Sequence, residues 1–504
     1  MSNHLFDQIS AAMPAHTAVF ARAPGGLQTH YADVMAVSAR YAHVLRASGV
    51  EQGSRVAVQV EKSIEALMVY LACLRAGAIF LPLNTAYTPT EISYFLSDAQ
   101  PALFVCDPAR AEALQSVAKE AGARLETLGA DGTGSLAALT AGQSSEFANA
   151  LCGPDDLAAI LYTSGTTGRS KGAMLSHENL ASNARALVAT WRFTSSDVLI
   201  HALPIFHTHG LFVATNVILF AGASMIFLPK FEPAQVLSLM GEATTMMGVP
   251  TFYVRLVDHP GLTREATARM RLFISGSAPL LAETHRSFEA KTGHAILERY
   301  GMTETNMNTS NPYEGNRVAG TVGFPLPGID LRVTDPETGA PLPVDEIGMI
   351  EVRGGNVFKG YWRNPEKTAA EFRPDGFFIT GDLGKIDPLG YVHILGRGKD
   401  LVITGGYNVY PKEIETEIDA MPGVVESAVI GLPHKDFGEG VTAVVVAAKD
   451  ANLTEQAILA QLEGRLAKFK QPKRIILVEE LPRNTMGKVQ KNVLRESYRT
   501  LYAG

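Results

Sequence analysis

The chain has 504 residues, of which 46% are hydrophobic and 19% are charged, and its formal net charge at pH 7 is −7. This length allows roughly two to four domains with sizeable cores, and the composition excludes an extensively disordered protein. The negative charge argues against a nucleic-acid-binding surface, which would be basic.

The cysteines and the first residues favour a cytoplasmic protein. Cys73, Cys106 and Cys152 are few, odd in number and scattered, which suits a reducing compartment and matches no metal-binding spacing. Residues 1–7 contain neither the basic region nor the apolar run that begins a secretory signal.

Strand-like and helix-like segments alternate through most of the chain. Residues 55–60 have the composition of a buried strand, and Ser63 is suited to cap a helix that ends just before Gly77. Residues 78–82 and 102–106 are again strand-like. This alternation predicts an α/β fold in which helices cover mostly parallel sheets.

The uncharged stretch at residues 210–228 is long enough to span a bilayer, which takes about 17–25 residues. However, Thr215, Asn216 and Ser224 are polar, Gly222 divides the stretch, and no cluster of Lys and Arg flanks it. We therefore predict a buried helix followed by a buried strand, and no membrane span.

The last third of the chain changes character. From about residue 329, short strands and Gly/Pro turns predict a small β-rich subdomain that ends near residue 396. Two glycines bracket Arg397, which predicts a hinge at 397–400 between an N-terminal domain (1–396) and a mobile α+β C-terminal domain (397–504). The C-terminal domain is predicted to contain helices at 411–421 and 454–469 and strands at 424–432, 441–448 and 474–478.

The most informative motif is Tyr-Thr-Ser-Gly-Thr-Thr-Gly-Arg-Ser-Lys-Gly at residues 162–172, which lies between two apolar stretches. It predicts a strand, a phosphate-binding loop and a second strand, because glycines let the backbone approach oxyanions while hydroxyls and a lysine bind them. The Walker A pattern and the Rossmann glycine motif are both absent. The motif resembles the phosphate loop of the adenylate-forming enzymes, the family of acyl-CoA synthetases, luciferases and peptide-synthetase adenylation domains.

The resemblance extends to two further nucleotide motifs. The segment that begins at Tyr300 implies that this ring stacks on adenine, that Thr303 binds the α-phosphate and that Glu304 holds Mg²⁺, a hard cation suited to a carboxylate. A second match implies that Asp382, directly after a predicted strand, accepts hydrogen bonds from the ribose hydroxyls and that Arg397 completes this contact.

Near the end of the chain, Lys488 resembles the catalytic lysine that the family carries on its mobile C-terminal domain. Attack of a carboxylate on the α-phosphorus puts negative charge on the phosphate oxygens, and a well-placed cation there is worth about 3–4 kcal/mol. Lys399 matches the pivot of the domain rotation. Gly405, Gly406 and Tyr407 resemble the segment that lines the pantetheine tunnel after that rotation.

Two regions resemble the borders of the family's acyl pocket. His207 matches the gate position, and His209 is expected to face the acyl group. A metal site is the alternative for these two histidines, but no cysteine or acidic residue lies near them in the sequence. The Ser-Gly-Ser-Ala-Pro segment at 275–279 resembles the loop beside the adenine and the acyl group.

The segment at residues 249–255 departs from relatives that take fatty or aryl acids, which present mostly apolar groups along this helix. Arg255 is interpreted as the counter-charge for a second substrate carboxylate, which arginine can bind in a bidentate manner. The alternative is a surface arginine whose stem lies along apolar groups. Arg286 is a second candidate for the same role.

The resemblance implies the following set of site residues. Catalytic roles are implied for Lys488, His207, Thr163 and Glu304, the last two of which are also expected at the metal. Nucleotide and CoA contacts are implied for Thr163, Ser164, Gly165, Thr166, Thr167, Gly168, Lys171, Ser277, Ala278, Glu298, Arg299, Tyr300, Gly301, Thr303, Asp382, Arg397, Lys399, Gly405, Gly406 and Tyr407. Substrate contacts are implied for Arg255, Arg286, His209, Ser277 and Met302.

Over its whole length the chain resembles the branch of the family that forms malonyl-CoA and also accepts methylmalonate. This implies an ATP-, Mg²⁺- and CoA-dependent reaction that passes through an acyl-adenylate and releases AMP and pyrophosphate. The alternatives are a ligase for small monocarboxylic or aryl acids, in which Arg255 is only structural, and a carrier-loading or nucleotide-binding relative. A lysine acetyltransferase and deacetylase acting on Lys488 are further hypothetical partners, because acetylation would remove its charge.

Overall fold

The structure, a computed structural model, describes residues 2–23, 25–163, 170–405, 407–449, 451–463, 465–484 and 487–502. Its α-helices are α1 (His4–Ala12), α2 (Tyr31–Ala47), α3 (Ile64–Ala76), α4 (Pro89–Ala99), α5 (Ala111–Glu120), α6 (Ser135–Ala138), α7 (His177–Trp191), α8 (Asn216–Ala221), α9 (Pro233–Leu239), α10 (Pro250–Asp258), α11 (Ala282–Thr292), α12 (Pro365–Ala370), α13 (Pro411–Asp419), α14 (Glu455–Leu462) and α15 (Lys491–Ser497). Its strands are β1 (Val19–Arg22), β2 (Gln28–His30), β3 (Arg55–Gln59), β4 (Ile79–Pro82), β5 (Leu103–Cys106), β6 (Arg124–Thr127), β7 (Leu157–Thr163), β8 (Lys171–Ser176), β9 (Val198–His201), β10 (Ser224–Phe227), β11 (Thr245–Gly248), β12 (Leu272–Ser275), β13 (Leu297–Met302), β14 (Asn306–Ser310), β15 (Phe324–Pro325), β16 (Ile329–Thr334), β17 (Gly348–Gly354), β18 (Phe378–Ile386), β19 (Val392–Arg397), β20 (Val402–Thr404), β21 (Tyr407–Val409), β22 (Val424–His434), β23 (Gly438–Ala447) and β24 (Arg474–Val478).

Two large, mostly parallel sheets form the first part of the molecule. One has the strand order β6-β5-β3-β4-β7-β8, in which only β8 runs antiparallel to its neighbour. The other has the order β15-β14-β13-β12-β11-β9-β10-β1-β2, and its six central strands from β13 to β1 are parallel. The predicted α/β fold is confirmed. Parallel strands need crossover connections, and the alternating helices supply them.

Helix α3 shows how the local sequence determines an element. The side chain of Ser63 accepts a hydrogen bond from the backbone N–H of Ala66, and Gly77 ends the helix with a φ of +68°. Every residue from Ala66 to Ala76 is buried, because the helix lies within the main core against α2 and α1. Its apolar residues therefore surround the whole helix axis instead of forming one stripe.

The uncharged stretch at residues 210–228 is buried inside the protein. A π-helix (His209–Thr215) continues into α8, Gly222 ends it with a φ of +61°, and β10 follows as an interior strand of the nine-stranded sheet. None of the described helices has the length and apolar character needed to cross a membrane. The predicted helix and strand are confirmed, and the first half of the helix has the wider π geometry.

The last third of the chain forms two smaller sheets. Strands β16 to β19 make an antiparallel four-stranded sheet, and β20 to β24 make a five-stranded sheet packed with α13, α14 and α15. The change from one sheet to the other falls between Arg397 and Val402. The division of the chain at residue 396 and the hinge at 397–400 stay predictions.

One predicted helix is too long. The sequence pattern predicts a helix at 454–469, but α14 ends at Leu462, and residues 465–470 form turns. Gly464 lies in the middle of the predicted segment, and glycine costs about 1 kcal/mol relative to alanine inside a helix. The apolar side chains that follow, Leu466 and Phe469, pack on the same core from outside a helix.

Candidate active site

A cavity of about 1340 Å³ lies where the parallel sheets, the four-stranded sheet and the C-terminal loop before α15 meet. Its walls bring together residues that are far apart in the sequence. The site residues predicted from the sequence that line it are Thr163, Lys171, His207, Ser277, Arg299, Gly301, Met302, Thr303, Glu304, Arg397, Lys399 and Lys488.

The two ends of the phosphate-loop motif reach this cavity from the paired strands β7 and β8. Thr163 at the end of β7 is directly opposite Lys171 at the start of β8, so this pairing brings a hydroxyl and an ammonium to the same edge. The Lys171 Nζ lies 3.9 Å from a carboxylate oxygen of Glu371 and 5.0 Å from the centre of the Tyr361 ring. The other predicted loop residues, Ser164, Gly165, Thr166, Thr167 and Gly168, lie outside the described residues.

Glu304 lies in the cavity wall as a buried carboxyl group that is 6% exposed. The Tyr361 hydroxyl lies 3.1 Å from the Oε1 of Glu304 and donates to Glu371 at 2.7 Å. Burial raises the pKa of Glu304, and the Arg397 guanidinium opposes this rise. The sequence reasoning missed Tyr361 and Glu371, because they come 57 and 67 residues after Glu304 without a recognisable motif.

The donor set at Glu304 fits Mg²⁺. In the part of the chain that the structure describes, no group of three or more His, Cys, Asp and Glu residues could enclose a metal ion by itself. A cation bound by Glu304 and Thr163 would therefore complete its shell with phosphate oxygens and water. Mg²⁺ is usually held in this way, by one or two carboxylates together with substrate phosphates.

The carboxylate of the predicted ribose site is held by two neighbouring side chains. Asp382 is 5% exposed and lies directly opposite Arg397 in the β18–β19 pairing. Its Oδ1 accepts from the Arg397 Nε at 2.9 Å, and its Oδ2 accepts from the Tyr300 hydroxyl at 2.5 Å. These contacts fix the carboxylate, which suits a group that has to accept hydrogen bonds in one orientation.

Lys488 reaches the cavity from a tight loop of the C-terminal region. The backbone N–H of Asn484 donates to the Lys488 carbonyl at 3.0 Å, and Arg483 donates to the Gly487 carbonyl at 2.6 Å. The Lys488 side chain stays accessible to solvent but is enclosed by the cavity walls. This enclosure lowers the pKa of its ammonium, and the nearby Arg397 adds to the effect.

The acyl side of the cavity is rich in nitrogen donors. The His209 Nδ1 lies 3.1 Å from the Ser277 hydroxyl, and Ser277 has the rare φ of +73°. Arg299 is 4% exposed, and its Nε and Nη2, like the His209 Nε2, are buried without a hydrogen-bond partner among the described residues. Burial lowers the pKa of Arg299 to about 9 and that of His207 to about 3. At neutral pH the arginine is therefore charged, while the histidine is neutral.

Arg255 and Arg286 do not lie at this site. On α10 the buried residues are Tyr253 and Leu256, and Arg255 projects about 200° around the helix from Tyr253, so its side chain is exposed. Arg286 on α11 is exposed and pairs with Glu283 at 3.0 Å. Neither arginine lines the cavity. The interpretation of Arg255 as a buried counter-charge is therefore wrong for this structure, and its position fits the alternative of a surface arginine.

Three predicted residues whose contacts are described above do not line the cavity, namely Tyr300, Asp382 and His209. The stacking of Tyr300 on adenine, the ribose contact of Asp382 and the acyl contact of His209 stay predictions.

Several other predicted residues also lie away from the cavity wall. Ala278 is not part of its lining, and Glu298 is buried behind it, where it accepts from the Gly320 backbone N–H at 3.1 Å. Gly405 and Tyr407 are on the outer surface of the C-terminal region, where the Tyr407 ring stacks on Phe469 with a centroid distance of 4.6 Å. Gly406 lies outside the described residues. Their role in CoA binding stays a prediction.

Comparison with known proteins identifies the family. The family described as AMP-binding enzyme matches residues 6–362, and its C-terminal domain family matches residues 413–488. The chain belongs to the AMP-binding enzyme family. It is an acyl-CoA synthetase whose substrates and cofactor are an organic acid, CoA, ATP and Mg²⁺.

Three proteins illustrate the similarity of this chain to known enzymes in sequence and in structure. The malonate–CoA ligase of Arabidopsis thaliana is 35% identical over 482 residues, and the match covers 89% of this chain and 79% of the ligase. A feruloyl-CoA synthase of an Amycolatopsis species is 36% identical over 483 residues, and the match covers 94% of this chain and 95% of the synthase. The solved structure of ATP-bound MatB from Rhodopseudomonas palustris is 65% identical and covers 100% of both chains, with a TM-score of 0.98. The resemblance to the adenylate-forming family is thus confirmed, whereas the roles of individual residues stay predictions.

Proposed function

We propose that the protein joins malonate to CoA in an ATP-dependent reaction that passes through malonyl-adenylate and releases AMP and pyrophosphate. The observation that carries this proposal is the Arg299 guanidinium, which is charged, buried and without a described partner beside the acyl pocket. The similarity to the malonate–CoA ligase of Arabidopsis thaliana and to the MatB structure supports the proposal, because it extends over most of this chain in both comparisons.

The electrostatic argument depends on what an unpaired guanidinium costs. Moving an isolated charge out of water costs several kcal/mol, even after the protein relaxes. A carboxylate offsets this cost best, since its two oxygens match the planar fork of arginine. Malonate has one carboxylate to react and a second one to pair with Arg299. A fatty or aryl acid would bring an apolar group to the same place and leave the arginine without a partner.

We further propose a role in adenylation for several of the other predicted site residues. Thr163 and Glu304 hold Mg²⁺, which neutralises phosphate charge when it is bound. Lys171 and Lys488 supply further positive charge in the cavity, and Asp382, held by Arg397 and Tyr300, orients the ribose. His207 is neutral at physiological pH, because burial lowers its pKa and the charges of Lys488 and Arg299 lower it further. Because this imidazole is uncharged, it would not compete with Arg299 for the distal carboxylate of the substrate.

A substrate panel tests the function. AMP release is measured with malonate, methylmalonate, butyrate and ferulate, each with and without CoA, and the thioester is identified by mass spectrometry. We expect malonate to exceed butyrate in kcat/KM by about 10⁴-fold, since a site built for a polar group rejects an analogue that lacks it by 10⁴–10⁵. Methylmalonate should stay usable, because one methyl group changes the barrier by only about 1–3 kcal/mol.

Each other result of the panel supports a different function. Preference for butyrate or ferulate would favour a monocarboxylate or aryl-CoA ligase instead. Adenylate formation that CoA does not convert into a thioester would favour the carrier-loading alternative.

We also propose that the C-terminal region rotates about Lys399 between the two half-reactions. Lys399 lies in a short 3₁₀ turn (Gly398–Asp400) directly between the last two sheets and lines the cavity. Lys399→Pro fixes φ at this residue, and it should slow thioester formation far more than adenylation. Lys399→Ala is the matched control, because it removes the same side chain without restricting the backbone. Normal thioester formation in the proline variant would mean that the pivot lies elsewhere.

Cytoplasmic location and control by acetylation of Lys488 complete the proposal. The three cysteines are all free and buried, as suits a reducing compartment. Lys488 is reachable from solvent, and acetylation would cancel the charge that the reaction uses. Mass spectrometry of the protein isolated from its own cells checks this hypothesis, and a fully unmodified Lys488 under all growth conditions would contradict it.

A further inference from the structure

The Arg299 guanidinium occupies the space that a side chain at residue 276 would need. A Cβ atom added to Gly276 would lie 2.3 Å from the Arg299 Cζ and 2.5 Å from its Nε and Nη1. Ordinary contacts between carbon atoms lie at about 3.5–4.0 Å. Arg299 and any side chain at residue 276 therefore cannot both keep the positions that the structure gives them.

The strand pairing explains why these two residues meet. Ser275 at the end of β12 is in register with Glu298 on the parallel strand β13, so Gly276, the first residue after β12, lies beside Arg299, the next residue of β13. Arg299 is also paired on its other side, with Ser310 of β14. The backbone N–H of Gly276 donates to the carbonyl of Gly248, at the end of β11, at 3.3 Å. Because this bond and the pairing of β13 hold the two backbones, the guanidinium at the end of the flexible Arg299 side chain is the part that would have to move.

Backbone conformation does not account for the glycine. The φ of Gly276 lies outside the left-handed region, so other residues could adopt this backbone. The three heavy atoms nearest to its hypothetical Cβ all belong to the Arg299 guanidinium. Gly301, which also borders the site, differs in this respect, because its Cβ would meet the backbone oxygen of Asn306 at 1.8 Å. The closest contacts at Gly276 therefore all come from the arginine side chain.

We propose that Gly276 is a specificity-determining residue, because the missing side chain lets Arg299 lie against the start of the β12–α11 loop and pair with the distal carboxylate of a dicarboxylic acid. This inference rests on the proposed function. A methyl group at residue 276 would displace the guanidinium by about 1 Å to reach ordinary contact distance, and a misplacement of this size can cost about 10²-fold in rate.

A double-mutant cycle tests the coupling. Gly276→Ala should lower kcat/KM for malonate by about 10²-fold, with a smaller change for butyrate and for the KM of ATP. In the Arg299→Met background the same alanine should cost little, because the flexible thioether can move aside. Such non-additivity is the signature of two residues that act through direct contact. Gly241→Ala is the matched control, since a Cβ there has no heavy atom within 4 Å.

The outcomes separate this inference from the proposed function. If the wild-type enzyme prefers malonate and Gly276→Ala keeps the same malonate-to-butyrate ratio, the inference is wrong and the function stands. If the wild-type enzyme shows no such preference, the function itself is wrong. Equal losses from the alanine in both backgrounds would show that it acts on the backbone, which also overturns the inference. If Gly276→Ala does not fold, the variant that also carries Arg299→Met should fold, and its failure to do so would count against the coupling.

Discussion

Lys488→Ala is expected to lower the rate of acyl-adenylate formation by about 10²–10³-fold, the usual loss when one group that stabilises a developing oxyanion is removed. The Lys488 ammonium lies in the cavity with Arg397 and Glu304, where it can meet the charge that develops on the α-phosphate. It is not expected to act in the second half-reaction, in which the thiol attacks an adenylate that already exists.

The measurement separates the two steps. Pyrophosphate exchange with malonate reports adenylation, and a single turnover with supplied malonyl-adenylate and CoA reports thioester formation. Lys468→Ala is the control, because Lys468 is an exposed lysine of the same region. Equal losses in the two steps would contradict the proposal that Lys488 serves adenylation alone.

Local patterns in the sequence were sufficient to predict the elements and the motifs. The cap at Ser63, the end of α3 before Gly77 and the break at Gly222 all depend on neighbouring residues, and all are confirmed. Thr163 ends β7, and Thr303 and Glu304 directly follow β13, so their meeting at one cavity fits the rule that ligands bind at the carboxyl ends of parallel strands. Asp382 does not follow this rule, because it lies inside β18 of the antiparallel four-stranded sheet. Sequence reasoning could not find residues that reach the site only through tertiary packing. Tyr361 is an example, because it contacts Glu304 from the region of the four-stranded sheet.

Arg255 and Arg299 show this limit clearly. The sequence reasoning gave the substrate carboxylate to Arg255, because its helix matched the acyl pocket, and it gave Arg299 a nucleotide or CoA contact instead. A helix has an inner and an outer face, and the short apolar run of α10 does not determine which face carries residue 255. A charged residue in an interior strand is a stronger signal, because both faces of a parallel sheet are usually covered. Arg299 in β13 satisfies that condition.

Arg299→Met is expected to remove most of the preference for malonate. Methionine fills a similar elongated volume but has no charge, so the distal carboxylate would be buried without a partner, which costs at least several kcal/mol. The malonate-to-butyrate ratio of kcat/KM should fall by about 10⁴-fold, which is the discrimination that a site built for a polar group provides. Part of this change should come from a gain with butyrate, since the unpaired guanidinium no longer has to be buried beside an apolar chain.

Arg255→Met is the matched control, since it makes the same substitution at an exposed arginine outside the cavity. Its malonate-to-butyrate ratio should equal that of the wild-type enzyme. The KM for ATP should stay near its wild-type value in both variants, because a collapsed site would raise it together with the KM for malonate. The reverse pattern, with the ratio lost in Arg255→Met and kept in Arg299→Met, would mean that α10 turns its outer face toward the substrate during the reaction. An unchanged ratio in both variants would remove the electrostatic basis for assigning a dicarboxylic acid to this pocket.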